Sequence, residues 1–416
     1  MGDIHHHILD NGLILVTERV PGVRSIGMTW LVPAGVGYDP VDRIGVSAVN
    51  AELIVRGCAD RDARQHADAL DALGINTSVT VGTESIRLGA TVLGTNLHKA
   101  LPLLVDMVRR PRFDDSQFEP SRDLALQGLE SLKDEPRERV HHNLRRAHHP
   151  APFDRITDGE EAGLRALTLD DCRAHWGTHA VPGGSVLALA GDLEHAAAAD
   201  RLTELLHDWS GSVDRIAYPT ERPLRGITHE ADDTDQVHIA LAGEGPPEAH
   251  DQADLARVLT NVLSGGMGAR LFTEVREKRG LVYSVSIRYA PDREFGAFSG
   301  YAGTTPERAA QTLDVFTAEL ARIATPDGLP TDDEVARAKI GLRSRLVLSG
   351  ESTGARAAAL ARDMRTRGVP VTLAERAAKI EAVTPDAVRA YAQTEPIRPQ
   401  TIATIGKVEI GTAAAS

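Results

Sequence analysis

The chain has 416 residues, which is enough for two or three domains. Charged residues make up 25% and hydrophobic residues 42%, a composition typical of globular proteins. The net charge of −13 argues against nucleic acid or an anionic membrane as the main partner. The only cysteines, Cys58 and Cys172, lie far apart, so neither a disulfide framework nor a cysteine zinc site is expected.

The N-terminal sequence "MGDIHHHILDNG" is polar and lacks the apolar segment of a signal peptide. No stretch reaches the roughly 18 consecutive apolar residues of a membrane-spanning helix. We therefore expect a cytoplasmic protein with no membrane partner.

The first half of the chain predicts an alternation of strands and helices. A strand over Ile26–Val32 precedes a loop and a helix from Val46 to about Arg56. The helix "DARQHADALDALG" ends at Gly74, and "NTSVTVGTESIRLGATVL" alternates as a hairpin that turns near Gly82. An amphipathic helix, "NLHKALPLLVDMVRR", a long charged helix and the strand "GSVLALAGDL" follow.

The second half repeats this order. The strand "QVHIALAGEG" is followed by two helices, of which the second, "RLFTEVREKRG", again ends at a glycine. A hairpin, an amphipathic helix, a long charged helix and the strand "QTIATIGKV" complete the repeat. Two unrelated α+β domains are the alternative, but the matched order favours two copies of one unit. We predict an α+β fold of two homologous domains, each a mainly antiparallel sheet flanked by helices, over residues 1–210 and 227–416 with a linker at 211–226.

The segment "SGGMGARLFTEVREKRGLVYSVS" carries the most information. Its glycine loop opens into a helix and suggests a phosphate site, but it lacks the P-loop lysine and follows a helix, not a strand. The charged residues of the helix are expected to form pairs on a solvated face. Taken alone, Arg276 would be a surface arginine and Tyr283 a half-buried tyrosine.

The string "GARLFTEVREKRGLVYSV" resembles the C-terminal-domain motif of the pitrilysin, insulin-degrading enzyme and mitochondrial processing peptidase superfamily. These are the zinc peptidases called inverzincins. In that family an arginine and, seven residues on, a tyrosine reach the zinc site, and Arg276 and Tyr283 match this spacing. The opening strands and "TDGEEAGLRALTLDDCRAHWGTHAVPGGSVLALAGDL" are also similar to the family, so the resemblance covers nearly the whole chain.

The sequence departs from the family at the zinc motif. An active member carries H-x-x-E-H, in which two histidines bind zinc and the glutamate is the general base. In the matching segment, "GVSAVNAELIVRG", the corresponding residues are Ala48, Ala51 and Glu52. Gly128 stands where the family has its last zinc ligand. The resemblance therefore implies a degenerate motif and no zinc in this chain.

Other residues offer weaker alternatives for a metal or catalytic site. His141, His142, His148 and His149 cluster in "HHNLRRAHHP", but no carboxylate or cysteine completes a ligand set and two arginines lie between them. The histidines of "HHH" near the N-terminus are expected to be polar residues of an edge strand. The serine-containing segments lack the G-x-S-x-G motif of a nucleophile.

The resemblance implies a clam-shell of two domains and a partner chain. In processing peptidases of this size, one chain keeps the zinc motif and the other keeps the arginine and tyrosine. This chain is similar to the second type, which predicts a heterodimer with a zinc-bearing paralogous subunit and a peptide substrate. Arg276 and Tyr283 would then be the catalytic residues, and zinc would belong to the partner. The strand "NTSVTVG" matches the edge strand that pairs with substrate in active relatives.

Two alternatives from other classes stay open. A catalytically inactive scaffold or assembly protein of the same fold would not need both Arg276 and Tyr283. An independent enzyme with relocated chemistry would need a complete set of catalytic residues, which the sequence does not show.

Overall fold

The computed structural model describes residues 3–411, which form an α+β protein. The chain divides into two compact units. The first comprises residues 3–131, 151–217 and 348–372. The second comprises residues 132–150, 218–347 and 373–411. The chain passes from the first unit to the second within the predicted linker 211–226, while the domain boundaries 1–210 and 227–416 stay predictions.

The strands and helices alternate along the chain. The elements up to residue 206 are β1 (Asp3–Ile8), β2 (Ile14–Arg19), β3 (Ser25–Val32), α1 (Val46–Leu53), β4 (Gly57–Cys58), β5 (Arg61–Asp62), α2 (Ala63–Asp71), β6 (Asn76–Val81), β7 (Ile86–Leu93), α3 (Leu97–Arg109), α4 (Asp115–Leu132), α5 (Pro136–His148), α6 (Glu161–Ala166), α7 (Leu169–His179), β8 (Val186–Gly191) and α8 (His195–Leu206). The later elements are β9 (Ile227–Ala231), β10 (Val237–Gly245), α9 (Ala253–Ser264), a π-helix (Phe272–Glu277), β11 (Val282–Pro291), β12 (Gly296–Thr304), α10 (Ala309–Arg322), α11 (Asp332–Gly350), α12 (Thr353–Arg367), α13 (Leu373–Ala382), α14 (Pro385–Thr394) and β13 (Thr401–Gly406).

The two sheets have the same topology. The first has the order β1-β2-β8-β3-β7-β6 and the second the order β11-β12-β10-β13-β9. When the first sheet is read from its β6 edge, its first five strands correspond in order to the five strands of the second sheet. The first sheet then has one further strand, β1. In each sheet one neighbouring pair is parallel, β2 with β8 and β9 with β13, and the other pairs are antiparallel. The predicted fold of two similar, mainly antiparallel sheets with helices is confirmed.

Both glycines predicted to end the second helix of a half adopt the left-handed conformation. Gly74 has φ +66° and Gly280 has φ +59°. After α2, the amide of Gly74 donates to the carbonyl of Asp71 and the amide of Ile75 to that of Leu70, which is the Schellman pattern. A side chain with a Cβ is disfavoured in this conformation, so glycine is the residue that ends the helix and turns the chain into a strand.

Each unit contains a helix that its own half of the sequence does not supply. α12 packs on β2, β3 and β8 of the first sheet, where Leu360 and Met364 join a buried cluster with Val186. A Cβ at Gly27 of β3 would lie 2.3 Å from the backbone nitrogen of Gly354, so glycine permits this close approach. In the second unit, α5 packs on β10 and β13 through Val140 and other buried residues.

The helix "RLFTEVREKRG" differs from the prediction in its geometry. The structure has a π-helix over Phe272–Glu277 instead of a regular α-helix. The π-helix widens the turn because its hydrogen bonds span five residues. Within residues 3–411, no helix is both long and apolar enough to cross a membrane.

Candidate functional site

α1 carries the positions at which the zinc motif is expected. Gly45 is the residue before α1. Its φ of +119° disfavours a side chain, and a Cβ there would lie 2.6 Å from Cδ2 of Leu164. Ala48 is half-buried and Ala51 is buried, and both present only a methyl group. The carboxylate of Glu52 lies 3.6 Å from the Arg56 guanidinium. Among Gly45, Ala48, Ala51 and Glu52, only Glu52 thus has a side-chain oxygen that could bind a cation.

The fourth position lies on α4. Gly128 is exposed, and a Cβ placed there would meet no atom within 4 Å. A zinc site needs at least three protein ligands, and two methyl groups, one glycine and a paired carboxylate do not supply them. The residues at these four positions therefore do not fit the metal that the motif implies. Among residues 3–411, no group of three or more His, Cys, Asp or Glu residues is arranged to hold a metal ion.

Arg276 lies on the π-helix with its side chain exposed. Its guanidinium stacks over the Phe272 ring, 4.9 Å from the ring centre. Two other cations of this segment, Lys278 and Arg279, both pair with Glu274. Within the described part of the chain, Arg276 forms no hydrogen bond or ion pair through its side chain. The guanidinium is therefore held by an aromatic ring while its donors face outward.

Tyr283 lies at a β-bulge in β11. In the pairing with β12, Val282 and Ser284 oppose Thr304 and Gly303, and Tyr283 has no opposite residue. A bulge re-aims a side chain, and that of Tyr283 is 61% exposed although Val282 before it is buried. Across residues 3–411, no partner binds its hydroxyl. β11 is an edge strand of its sheet, so this hydroxyl lies at the exposed edge of the sheet.

A fixed turn joins the two residues. The amide of Gly280 donates to the carbonyl of Arg276 at 2.9 Å, and the amide of Leu281 donates to that of Val275 at 3.1 Å. The Arg308 guanidinium donates to the carbonyl of Gly280 at 2.6 Å. These three hydrogen bonds fix the backbone of the turn between Arg276 and Tyr283. Both residues sit at backbone irregularities of the kind common at functional sites, a π-helix and a bulge.

The histidines of α5 and His149, which follows it, do not form a site together. His148 bonds Thr401 at 3.0 Å, and burial lowers its pKa to about 4. His149 bonds the Tyr218 hydroxyl at 3.0 Å, and burial lowers its pKa to about 3. His141 stacks on Tyr301. Each ring has a packing role in the second unit, and the N-terminal histidines His5 and His7 instead contact His195.

A buried polar cluster beside α1 was not found from the sequence. The Asp39 carboxylate accepts from the Gly45 amide at 2.7 Å and from the Ser47 hydroxyl at 3.1 Å, so it caps the N-terminus of α1. Its second oxygen lies 3.5 Å from Nε2 of His175 on α7. Asn50 of α1 bonds Nδ1 of the same ring at 3.2 Å. The position of Asp39 shortly before a helix whose N-cap is a glycine could have indicated a capping role from the sequence. No local sequence pattern indicated a role for His175.

Burial shifts the pKa values of the two titratable groups of this cluster in opposite directions. It raises the pKa of Asp39 to about 7 and lowers the pKa of His175 to about 3. The folded state favours the protonated form of Asp39. The contribution of Asp39 to the free energy of unfolding is therefore present at acid pH and is lost as pH rises through 7. The contribution of neutral His175 is present above about pH 6.5 and is lost as pH falls toward 3. Between pH 6.5 and 4 the two effects therefore oppose each other.

We expect a His175→Phe variant to remove one of these opposing effects. Between pH 6.5 and pH 5, its free energy of unfolding should rise by about 2 kcal/mol relative to that of the unsubstituted chain, since one pKa unit corresponds to about 1.4 kcal/mol. Urea denaturation at the two pH values measures this difference. The exposed His207→Gln variant is the control, and an identical pH dependence for His175→Phe and the parent chain would contradict the assignment.

Comparison with known proteins agrees with this fold. Residues 15–151 match the family described as insulinase (peptidase family M16), and residues 166–342 match the peptidase M16 inactive domain. An uncharacterized zinc protease of Streptomyces coelicolor is 29% identical over 98% of this chain and 91% of its own length. One from Bacillus subtilis is 26% identical over 94% of this chain and 95% of its own. The chain therefore belongs to the peptidase M16 family of the pitrilysin-like superfamily.

Solved structures show the same fold. A peptidase M16 inactive domain from Pseudomonas fluorescens superposes with a TM-score of 0.86, 22% identity and 99% coverage of both chains. A protease from Helicobacter pylori superposes with a TM-score of 0.83 and 16% identity, covering 98% of this chain and all of its own. At these identities the similarity concerns the fold, and the activity of this chain has to be argued from its own residues.

Proposed function

We propose that this chain is the non-zinc-binding subunit of a heterodimeric zinc metallopeptidase. It would supply Arg276 and Tyr283 to the zinc site of a paralogous partner for peptide hydrolysis or leader-peptide processing. The observation that carries the proposal is the contrast within one chain. The zinc-motif positions hold Ala48, Ala51 and Gly128, whereas Arg276 and Tyr283 are present, exposed and held by a fixed turn.

The chemistry of these two side chains suits a peptide carbonyl. Its oxygen gains negative charge when the bond is attacked, and donors aimed at that oxygen stabilise the charge. The Tyr283 hydroxyl and the Arg276 guanidinium are such donors, and within the described residues neither is used in an internal hydrogen bond. The net charge of −13 would also favour basic peptides over acidic ones.

The scaffold alternative rests on the same missing ligands. An assembly protein of this fold would keep the sheets and the helices α5 and α12 but would not need an exposed arginine and tyrosine.

The edge position of β6 in the first sheet leaves its backbone available for pairing with a peptide strand. The cytoplasm remains the expected location of the protein.

We expect the purified chain to bind no stoichiometric zinc and to hydrolyse no peptide on its own. The physical reason is the lack of ligand atoms at Ala48 and Gly128 and of a base at Ala51. Elemental analysis after dialysis and a peptide-cleavage assay measure both. The matched positive control carries Ala48→His, Ala51→Glu, Glu52→His and Gly128→Glu, which restores the ligand types and should retain zinc. One tightly held zinc per unsubstituted chain, lost when His141–His149 are replaced, would overturn the proposal.

A further inference from the structure

The loop between α9 and the π-helix borders a small cavity in the second unit. Gly265, Gly266 and Gly268 of this loop line the cavity, together with Asn261 near the end of α9. Residues from the first turns of α11 line it as well. The cavity encloses about 190 Å³, whereas sites for drug-sized ligands typically enclose about 300–1,000 Å³. Its size therefore suits an ion or a small head group.

The side chain of Asn261 borders this cavity without a partner. Asn261 is only 8% exposed, and its side chain forms no hydrogen bond within residues 3–411. A Cβ at Gly265 would lie 2.1 Å from Oδ1 of Asn261 and 2.4 Å from its carbonyl oxygen, so glycine permits the loop to pack on this side chain. A buried amide without a hydrogen bond is costly and rare in native proteins. A ligand that accepts a hydrogen bond from Asn261 would supply the partner.

The loop also carries backbone donors that are not used. In the described part of the chain, neither the Gly266 amide nor the Gly268 amide donates a hydrogen bond. A Cβ built at either residue would meet no atom within 4 Å, so a ligand can approach the backbone closely. The Ala269 amide donates to the Gly266 carbonyl at 3.0 Å and holds the turn in place. Backbone amides presented by such turns form anion sites in many proteins.

A cation borders the cavity from α11. Arg337 is exposed, and among residues 3–411 its guanidinium forms no hydrogen bond or ion pair. Glu334, one helical turn earlier, also lines the cavity, but Arg270 binds both of its carboxylate oxygens at 2.6 and 2.7 Å. Arg270 also donates to the carbonyls of Gly328 and Leu329. Of the two charged residues that line the cavity, Glu334 is thus neutralised and Arg337 is available to a ligand.

We propose that this cavity binds a phosphate group. The Arg337 guanidinium would neutralise the group, and the side chain of Asn261 and the amides of Gly266 and Gly268 would donate hydrogen bonds to its oxygens. Donors on three separate elements suit a tetrahedral group better than a planar carboxylate. Free phosphate and the phosphoryl group of a small phosphomonoester share this chemistry. The proposal is independent of the peptidase role, because it needs neither a partner chain nor the arginine–tyrosine pair.

The test measures binding by calorimetry on the full chain at constant ionic strength. The probes are inorganic phosphate, glycerol phosphate and acetate. We expect saturable 1:1 binding of a phosphate probe, and binding of acetate weaker by about tenfold or more, because acetate leaves part of the donors unpaired. Tighter binding of glycerol phosphate than of inorganic phosphate would identify a phosphomonoester as the source, and the opposite order would identify free phosphate.

Two variants connect the binding to the proposed donors. Arg337→Gln removes the charge and Asn261→Ala removes the buried amide, and neither change breaks a hydrogen bond within the described residues. Each should weaken phosphate binding by about tenfold or more. Arg345→Gln, which removes an exposed arginine further along α11, is the matched control and should bind as the parent does. No saturable phosphate binding at millimolar concentration, acetate bound as tightly as phosphate, or parent-like binding by either variant would overturn the proposal.

Discussion

Replacing Tyr283 by Phe, or Arg276 by Ala, is expected to lower the kcat of a mixed complex with a zinc-bearing paralogue by on the order of 10²-fold. The Tyr283→Phe change removes one hydroxyl and leaves the ring at its bulge. The Arg276→Ala change removes a guanidinium that only stacks on Phe272. Neither change breaks an internal hydrogen bond within residues 3–411, so the fold and the assembly should stay intact.

The control for this experiment lies on the same segment. Lys278→Ala removes an exposed cation that pairs with Glu274, two residues from Arg276, and should leave kcat unchanged. Arg276→Lys keeps the charge but loses the planar set of donors, so its kcat should lie between that of the parent and that of Arg276→Ala. Parent-like rates for both Tyr283→Phe and Arg276→Ala in an assembled complex would favour the scaffold alternative.

The elements that local sequence determines were predicted well. Alternation of apolar residues gave the strands β3 and β7 within a few residues of their ends. Gly74 and Gly280 marked helix ends because the left-handed turn there needs glycine. The first helix was expected to reach Arg56 but ends at Leu53, since Gly57, with φ +106°, starts the short strand β4.

The exchange of helices could not be predicted in the same way. The buried residues of α5 and α12, such as Val140 and Leu360, identify an apolar face but not the sheet on which it packs. That choice depends on partners far away in the sequence, such as Ile405 for α5 and Val186 for α12. The division of the chain into compact units is therefore a property of tertiary packing, and the sequence order of elements does not contain it.

The sequence identified the residues of the candidate site but did not predict the backbone conformation that positions them. Arg276 and Tyr283 were singled out by their spacing within a motif. The π-helix instead depends on backbone hydrogen bonds within its own segment, such as that from the Lys278 amide to the Thr273 carbonyl, and the bulge depends on the pairing of β11 with β12. The pair of Asp39 and His175 joins groups 136 positions apart, at 3.5 Å, and no local pattern links them. Its opposing pKa shifts arise from burial, which only the folded structure shows.

Mixing this chain with a zinc-bearing paralogue is expected to give a 1:1 heterodimer with peptidase activity that neither chain has alone. The chain lacks zinc ligands at Ala48 and Gly128 but has exposed donors at Arg276 and Tyr283, so under the proposed function it would hold one half of a site. A partner with the H-x-x-E-H motif but without the arginine and tyrosine would hold the other half. An obligate interface of this kind typically buries more than about 2,000 Å² and persists at low concentration.

Co-expression, size-exclusion chromatography with light scattering and a peptide-cleavage assay measure the stoichiometry and the activity together. Because the interface would be large, the complex should persist on dilution to nanomolar concentration, whereas a weak contact would separate. Tyr283→Phe provides the control, since it should assemble as the parent does and yet lose most of the activity. A partner that is fully active alone, or two chains that elute separately at every concentration, would show that this chain is not a required half of the enzyme.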